Sequence, residues 1–141
     1  MIQGGYLAAN DDEIMSHKRT LANLILKLLK GVKDPELNVD LVESGLIQPE
    51  LINIDEENKK IEIFWIPTTP FCPLILYISA VIRHKVKEKF INWKVSVKLH
   101  PDVLGSEMWN ERLNDEKTLD NIFNEIKEKG WLQYFYTGEE K

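Results

Sequence analysis

Apolar residues first recur at helical spacing. Ile14, Leu21, Leu24, Ile25, Leu28 and Val32 fall on one stripe, and Gly31 is placed to end the helix. Asn10-Asp11-Asp12-Glu13 has the spacing of a capping box. The helix is therefore expected to start between Asp11 and Thr20, with residues 1–10 as a flexible N-terminus. A loop follows from Lys33 to Asn38, where Pro35 turns Asp34 away from the α region. Asn38 is placed to cap a short helical turn, Val39 to Ser44, ending at Gly45. Leu46 to Ile54 then reads as a strand, with Pro49 confining its beginning to an edge. Asp55-Glu56-Glu57-Asn58 is a turn and Lys59 to Ile66 a second strand, which together make a hairpin.

Helical spacing returns from Pro73 to about Phe90, with Leu74, Ile75, Ile78, Val81, Ile82 and Val86 on one face. Trp93 to Leu99 alternates strictly and is the clearest half-buried strand. A loop rich in breakers, His100 to Gly105, precedes helical segments at Ser106–Leu113 and Asp115–Lys129, the latter closed by Gly130. The aromatic run Trp131 to Tyr136 fits an extra strand, a packing strap or a docking segment. The order α-β-β-α-β-α predicts an α+β two-layer sandwich, a small mixed three-stranded sheet covered by helices. One domain is expected over 11–130, with an aromatic and acidic tail over 131–141.

This order gathers chemistry at one edge. A strand–helix–strand crossover makes the second and third strands parallel, so their C-terminal ends share a rim. The antiparallel first strand begins at the same rim. Asp34 and Glu36, Thr68 to Cys72, and His100 to Asp102 are thus expected to converge where ligands tend to bind such sheets.

Cys72 is the sole cysteine of the 141-residue chain. With Pro73 as the first helical residue, Cys72 would be the N-cap, where free N–H groups and the macrodipole favour a thiolate. A small buried hydrophobe is the other reading of a lone cysteine. One cysteine leaves no internal disulfide and no CxxC metal pair, as in a reducing, cytoplasmic setting. Zinc or an iron–sulfur cluster normally takes four protein ligands. A site at Cys72 would therefore draw on Asp34, Glu36, His100, a second chain or an external thiol. Such incomplete ligation suits a labile, transferable ligand. Thr68 and Thr69 either bond the turn backbone or support the thiolate. A catalytic base is hard to find. His84 lies about 18 Å along the helix at ~1.5 Å per residue, and His17 reads as a solvated surface residue. Only His100 can approach the thiol.

Composition narrows the classes further. Hydrophobic content of 43% and charged content of 29% are those of an ordinary globular chain. Eighteen basic against 23 acidic residues give a net charge of −5, with no basic stripe for nucleic acid. Apolar runs are broken well short of membrane-spanning length, and no signal peptide is evident at the N-terminus.

Asp34-Pro35-Glu36, then Val42 to Ile47 with Gly45-Leu46, a hairpin, and Thr69-Pro70-Phe71-Cys72-Pro73 opening a helix form an ordered set. In that order and spacing they resemble the PaaD-like and SufT-like iron–sulfur assembly proteins, over about Leu24 to Asn124. Asn110 to Lys117 further resembles the C-terminal part of the branch acting in cytosolic iron–sulfur assembly. The resemblance implies an iron–sulfur-assembly-type fold and a non-enzymatic role in maturing iron–sulfur proteins. It implies that Cys72 is the transient ligand of iron or an iron–sulfur cluster. It also implies a P-loop ATPase carrier and apo-protein clients as partners, and admits a homodimer. Asp34, Pro35 and Glu36 match the acidic loop, Gly45 the loop glycine, and Thr69, Pro70, Cys72 and Pro73 the thiol motif. Asn38, Glu43-Ser44, the stretch from His100 to Gly105 and the aromatic tail depart from the family pattern.

The leading expectation is an accessory factor or carrier in iron–sulfur cluster assembly, with Cys72 as metal ligand and Asp34, Glu36, Thr69 and His100 as supporting groups. The alternatives are a scaffold that docks an ATPase or client without holding metal, an assembly factor for a multicomponent oxygenase, and, last, a thiol-dependent enzyme.

Overall fold

The computed structural model describes the backbone of residues 2–137 and the side chains of residues 16–137. Helix α1 spans Ile2–Leu29. It runs through the Asn10–Glu13 sequence and starts ahead of the expected Asp11–Thr20 window. A capping box is a local preference that a helix already propagating can override. The helix stops where expected, at Gly31 with φ of 99°, a conformation that L side chains rarely adopt.

A hairpin that the hydrophobic pattern does not announce comes next. β1 (Lys33–Asp34) pairs antiparallel with β2 (Val39–Asp40) through a turn closed by Asn38 at φ of 55°. The expected helical turn therefore begins two residues late, after β2, with Ser44 N–H donating to Asp40 C=O at 3.0 Å, and its expected cap is misplaced. Asp40, not Asn38, accepts from the Val42 and Glu43 N–H groups, and also from Gly31 N–H at 2.9 Å.

The predicted first strand also shrinks. Pro49 opens a 3-10 turn, Pro49–Leu51, and β3 covers only Ile52–Asp55. Gly45 at φ of 76° and the missing N–H of Pro49 break the run that hydrophobicity alone joins into one strand. Beyond this point expectation and structure agree within two residues. β4 is Lys60–Trp65, α2 is Ile75–Lys89, β5 is Lys94–Leu99, α3 is Ser106–Leu113 and α4 is Glu116–Glu128. A short α5 (Leu132–Phe135) lies in the aromatic tail.

The main sheet has order β3-β4-β5, with β3 antiparallel and β5 parallel to β4, as the crossover predicts. Alternation leaves Ile52, Ile54, Ile61, Ile63, Trp65, Val95, Val97 and Leu99 buried on one face. Helix α1 packs on β3, α2 on β5, and the two helices touch each other. Helix α4 lies along α2, so α2 is buried nearly all round. Each fully buried aliphatic side chain here is worth roughly 1.5–3 kcal/mol relative to exposure. A polar pair inside this core is satisfied, with Trp65 Nε1 donating to Ser79 Oγ at 3.0 Å. The molecule is an α+β fold.

The open edge of β5 is closed by side chains. Asn110 of α3 accepts from Leu99 N–H (2.8 Å) and donates to Leu99 C=O (3.1 Å), standing in for a fourth strand. Arg83 of α2 donates to Val95 C=O at 3.2 Å and pairs with Glu116 and Asp120 of α4.

Candidate metal centre at the sheet rim

Two loops build the site. The β1–β2 hairpin carries Asp34 and Glu36, and the segment between β4 and α2 carries Thr68 to Pro73. Asp34 is buried and ties the two together. Its Oδ1 accepts from Glu36 N–H and its Oδ2 from Thr68 Oγ1, both at 3.0 Å. The second loop is pinned from behind, because Trp109 Nε1 of α3 donates to Pro70 C=O at 3.2 Å. Thr69 Oγ1 accepts from Phe71 N–H, and Cys72 N–H donates to Thr69 C=O. Thr69 thus shapes the turn that leads into Cys72.

Cys72 departs from expectation in two ways. It is not the N-cap, since Leu74 holds that position and α2 begins at Ile75. Nor is it an accessible thiolate, being 1% exposed. Burial pushes its pKa up, and the carboxylates of Asp34 and Glu36 push the same way, while a hydrogen bond from Leu74 N–H opposes them. The tight turn at Pro70–Leu74 folds the thiol inward. Desolvation then outweighs the pull of the helix start that sequence reasoning had put first.

The burial does not isolate the sulfur. One oxygen each from Asp34 and Glu36 and the Sγ of Cys72 lie within 4.8 Å of one another. Donors around a tetrahedral Zn²⁺ or Fe²⁺ stand about 3.5 Å apart given metal–ligand bonds of roughly 2.0–2.3 Å, so small side-chain rotations close the set. Glu36 is exposed and forms the lip, whereas Asp34 and Cys72 form the floor. One thiolate with two carboxylates mixes soft and hard donors, a match for borderline divalent ions such as Fe²⁺ or Zn²⁺. A cation here would also stabilise the thiolate that burial disfavours.

The histidines are not in that three-donor group. His100 is at the end of β5 as expected, and its N–H donates to Trp65 C=O. Its Nδ1 accepts from Asp102 N–H at 3.0 Å, and it is not part of the three-donor set. That ring nitrogen is engaged in its own turn. His17 pairs with Glu56 on the surface, and His84 stacks on Phe123. Sequence reasoning missed Trp109, which pins the Pro70 turn, and Asp40, which anchors the hairpin to the end of α1. No local pattern announces either. Beside the site, Pro35, Pro73, Leu74, Tyr77, Trp131, Tyr134 and Phe135 line an open apolar groove of about 580 Å³.

Residues 23–103, which include both loops and His100, match the family model described as iron-sulfur cluster assembly protein. The chain belongs to that family. Among its relatives, the MIP18 family protein galla-2 of Drosophila melanogaster is 30% identical over 95 residues, covering 66% of this chain and 61% of that protein. The cytosolic iron-sulfur assembly component 2B of Dictyostelium discoideum is 30% identical over 95 residues, covering 66% of this chain and 58% of that one. The chain thus spans about six-tenths of the length of these curated relatives. An uncharacterized protein of Methanocaldococcus jannaschii is 30% identical over 93 residues, 66% of this chain and 94% of its own length. A solved domain of unknown function, DUF59, from Bacillus anthracis superposes with a TM-score of 0.52 at 24% identity, covering 62% of this chain and 82% of its own. That likeness bears on the fold alone. The expected resemblance to the iron–sulfur assembly family holds, including the resemblance to its cytosolic branch.

Proposed function

We propose that this chain is a non-enzymatic accessory factor in cytoplasmic iron–sulfur cluster assembly that transiently holds iron, alone or within a nascent cluster, at Cys72, Asp34 and Glu36. The observation that carries the reading is the convergence of those three donors within 4.8 Å from two sequence-distant loops. Three donors leave one coordination position of a tetrahedral ion for an external thiol, sulfide or a client's cysteine. A site completed by its acceptor is built for hand-over. Burial keeps the empty thiol protonated and so protected from oxidation, and metal binding releases that proton. A P-loop ATPase carrier would supply the cargo and apo-proteins would receive it.

The test is anaerobic reconstitution with ferrous iron and sulfide, followed by absorbance and metal analysis. Wild type should bind iron and pass it to an apo-ferredoxin. Cys72→Ser should lose binding, and Asp34→Asn or Glu36→Gln should weaken it by about tenfold or more, the usual scale for losing a metal ligand's support. Equal binding by wild type and Cys72→Ser overturns the reading.

The 1% exposure of Cys72 favours one rival, a scaffold that docks partners and never holds metal. A Cys72→Ser chain that still supports maturation of a client enzyme selects the rival.

A further inference from the structure

The loops around the site carry a charge imbalance, of which metal binding uses only Asp34 and Glu36, and an apolar surface that it leaves free. Residues 34–46, 67–74 and 100–111 make the rim, and they hold seven carboxylates and no lysine or arginine. The nearest cations along the chain are Lys33 and Arg112, and Lys33 Nζ donates to Asn38 Oδ1 at 3.3 Å, which sets one ammonium against this acid excess. The three segments are one surface. Thr68 bonds Asp34, Ile66 N–H just before the second segment donates to Leu46 C=O, and Trp109 bonds Pro70. The sheet's other end is different, with Lys59, Lys60, Lys87, Lys89 and Lys94 in or beside its turns.

Large apolar side chains crowd the same rim. Phe71 is 78% exposed, Met108 73%, Leu104 71% and Leu37 60%. Seven large hydrophobic side chains are exposed among the described residues, and these are four of them. A fifth, Tyr134, borders the apolar groove beside Pro35 and Pro73. Phe71 adjoins Cys72 in the chain and Leu37 adjoins Glu36, so exposed apolar side chains stand on both loops that carry the donors. Exposed apolar clusters of this kind, rimmed by charge, mark interaction sites.

From the coincidence of acid excess and exposed apolar anchors we infer that the rim docks a basic polypeptide surface whose apolar or aromatic side chain seats beside Cys72. Charge complementarity decides the occupant. A second copy presented rim to rim would set one acid-rich face against another. Nucleic acid and anionic membrane would meet the same repulsion. A lysine- or arginine-bearing protein face meets attraction, and its apolar anchor finds the groove of about 580 Å³. The inference extends the proposed hand-over by naming the chemistry of the partner surface, yet its test does not depend on metal.

The experiment uses the full chain, isotope-labelled, with two synthetic peptides that share the same Phe and Leu positions. One carries Lys and Arg between them, the other Glu and Asp. The basic peptide should shift amides in the three rim segments and around Trp131–Tyr136, and raising salt should weaken it severalfold. Phe71→Ser with Met108→Ser should weaken it by about tenfold while leaving thermal stability unchanged, as expected for exposed anchors. Glu107→Lys with Glu111→Lys should weaken it without disturbing the apolar surface. Cys72→Ser should bind the peptide like wild type, so that failure of metal binding and failure of docking are told apart. Equal binding of the acidic peptide, shifts confined to the lysine-bearing end, or self-association through the rim in sedimentation would each overturn the inference.

Discussion

Cys72 illustrates how two local forces compete at one atom. The Leu74 N–H donates to its sulfur and favours the thiolate, while burial beside two carboxylates favours the thiol and prevails. The native protein should therefore be alkylated slowly by iodoacetamide at neutral pH. Its rate–pH midpoint should lie above that of the urea-unfolded chain, and a midpoint below it contradicts the buried thiol. The linkage has a definite sign. The folded pKa is raised, so this group's contribution to stability is intact below the unfolded thiol's pKa and is lost as pH rises through the folded one. Cys72→Ala should remove that part of the alkaline dependence, which denaturant titrations across pH would read directly.

At the scale of elements, the parallel strand β5 is the exposed flank of the sheet, and its protection is specific. Asn110 exchanges two hydrogen bonds with Leu99, immediately before the rim. Asn110→Ala leaves the buried Leu99 N–H and C=O without that partner and should cost about 1–3 kcal/mol in urea unfolding. A cost near zero would mean that water takes over both bonds. The same scale explains the misread first strand. Ile47 is buried like a strand residue, but its N–H donates to Leu41 C=O in a turn set by Gly45 and closed before Pro49. Hydrophobicity reports burial there and says nothing of backbone direction.

In the molecule as a whole, the C-terminal aromatic segment acts as a strap. Phe135 is buried and stacks with Tyr77 of α2, Tyr136 bridges to Val32, and Thr137 N–H donates to Gly31 C=O. The strap thereby holds the end of α1 next to the strand that carries Asp34. Phe135→Ala should cost about 3–5 kcal/mol by the usual penalty for truncating a buried aromatic. It should also lower ferrous affinity if the hairpin loosens with it. A stability loss without any change in iron binding would confine the strap to a structural role.

The line between what the chain reveals alone and what folding adds follows from the range of the interactions. Periodicity, glycine and proline positions, and the motifs around Asp34-Glu36 and around Cys72 are properties of short stretches. From them come the strand pairing, the helix spans after Pro49 and the meeting of two loops at one rim. The protonation of the thiol, the exclusion of His100 from the donor set and the closing of β5 by Asn110 depend on atoms far apart in sequence. Desolvation and side-chain hydrogen bonding act only once those atoms are packed together, so the assembled molecule settles them.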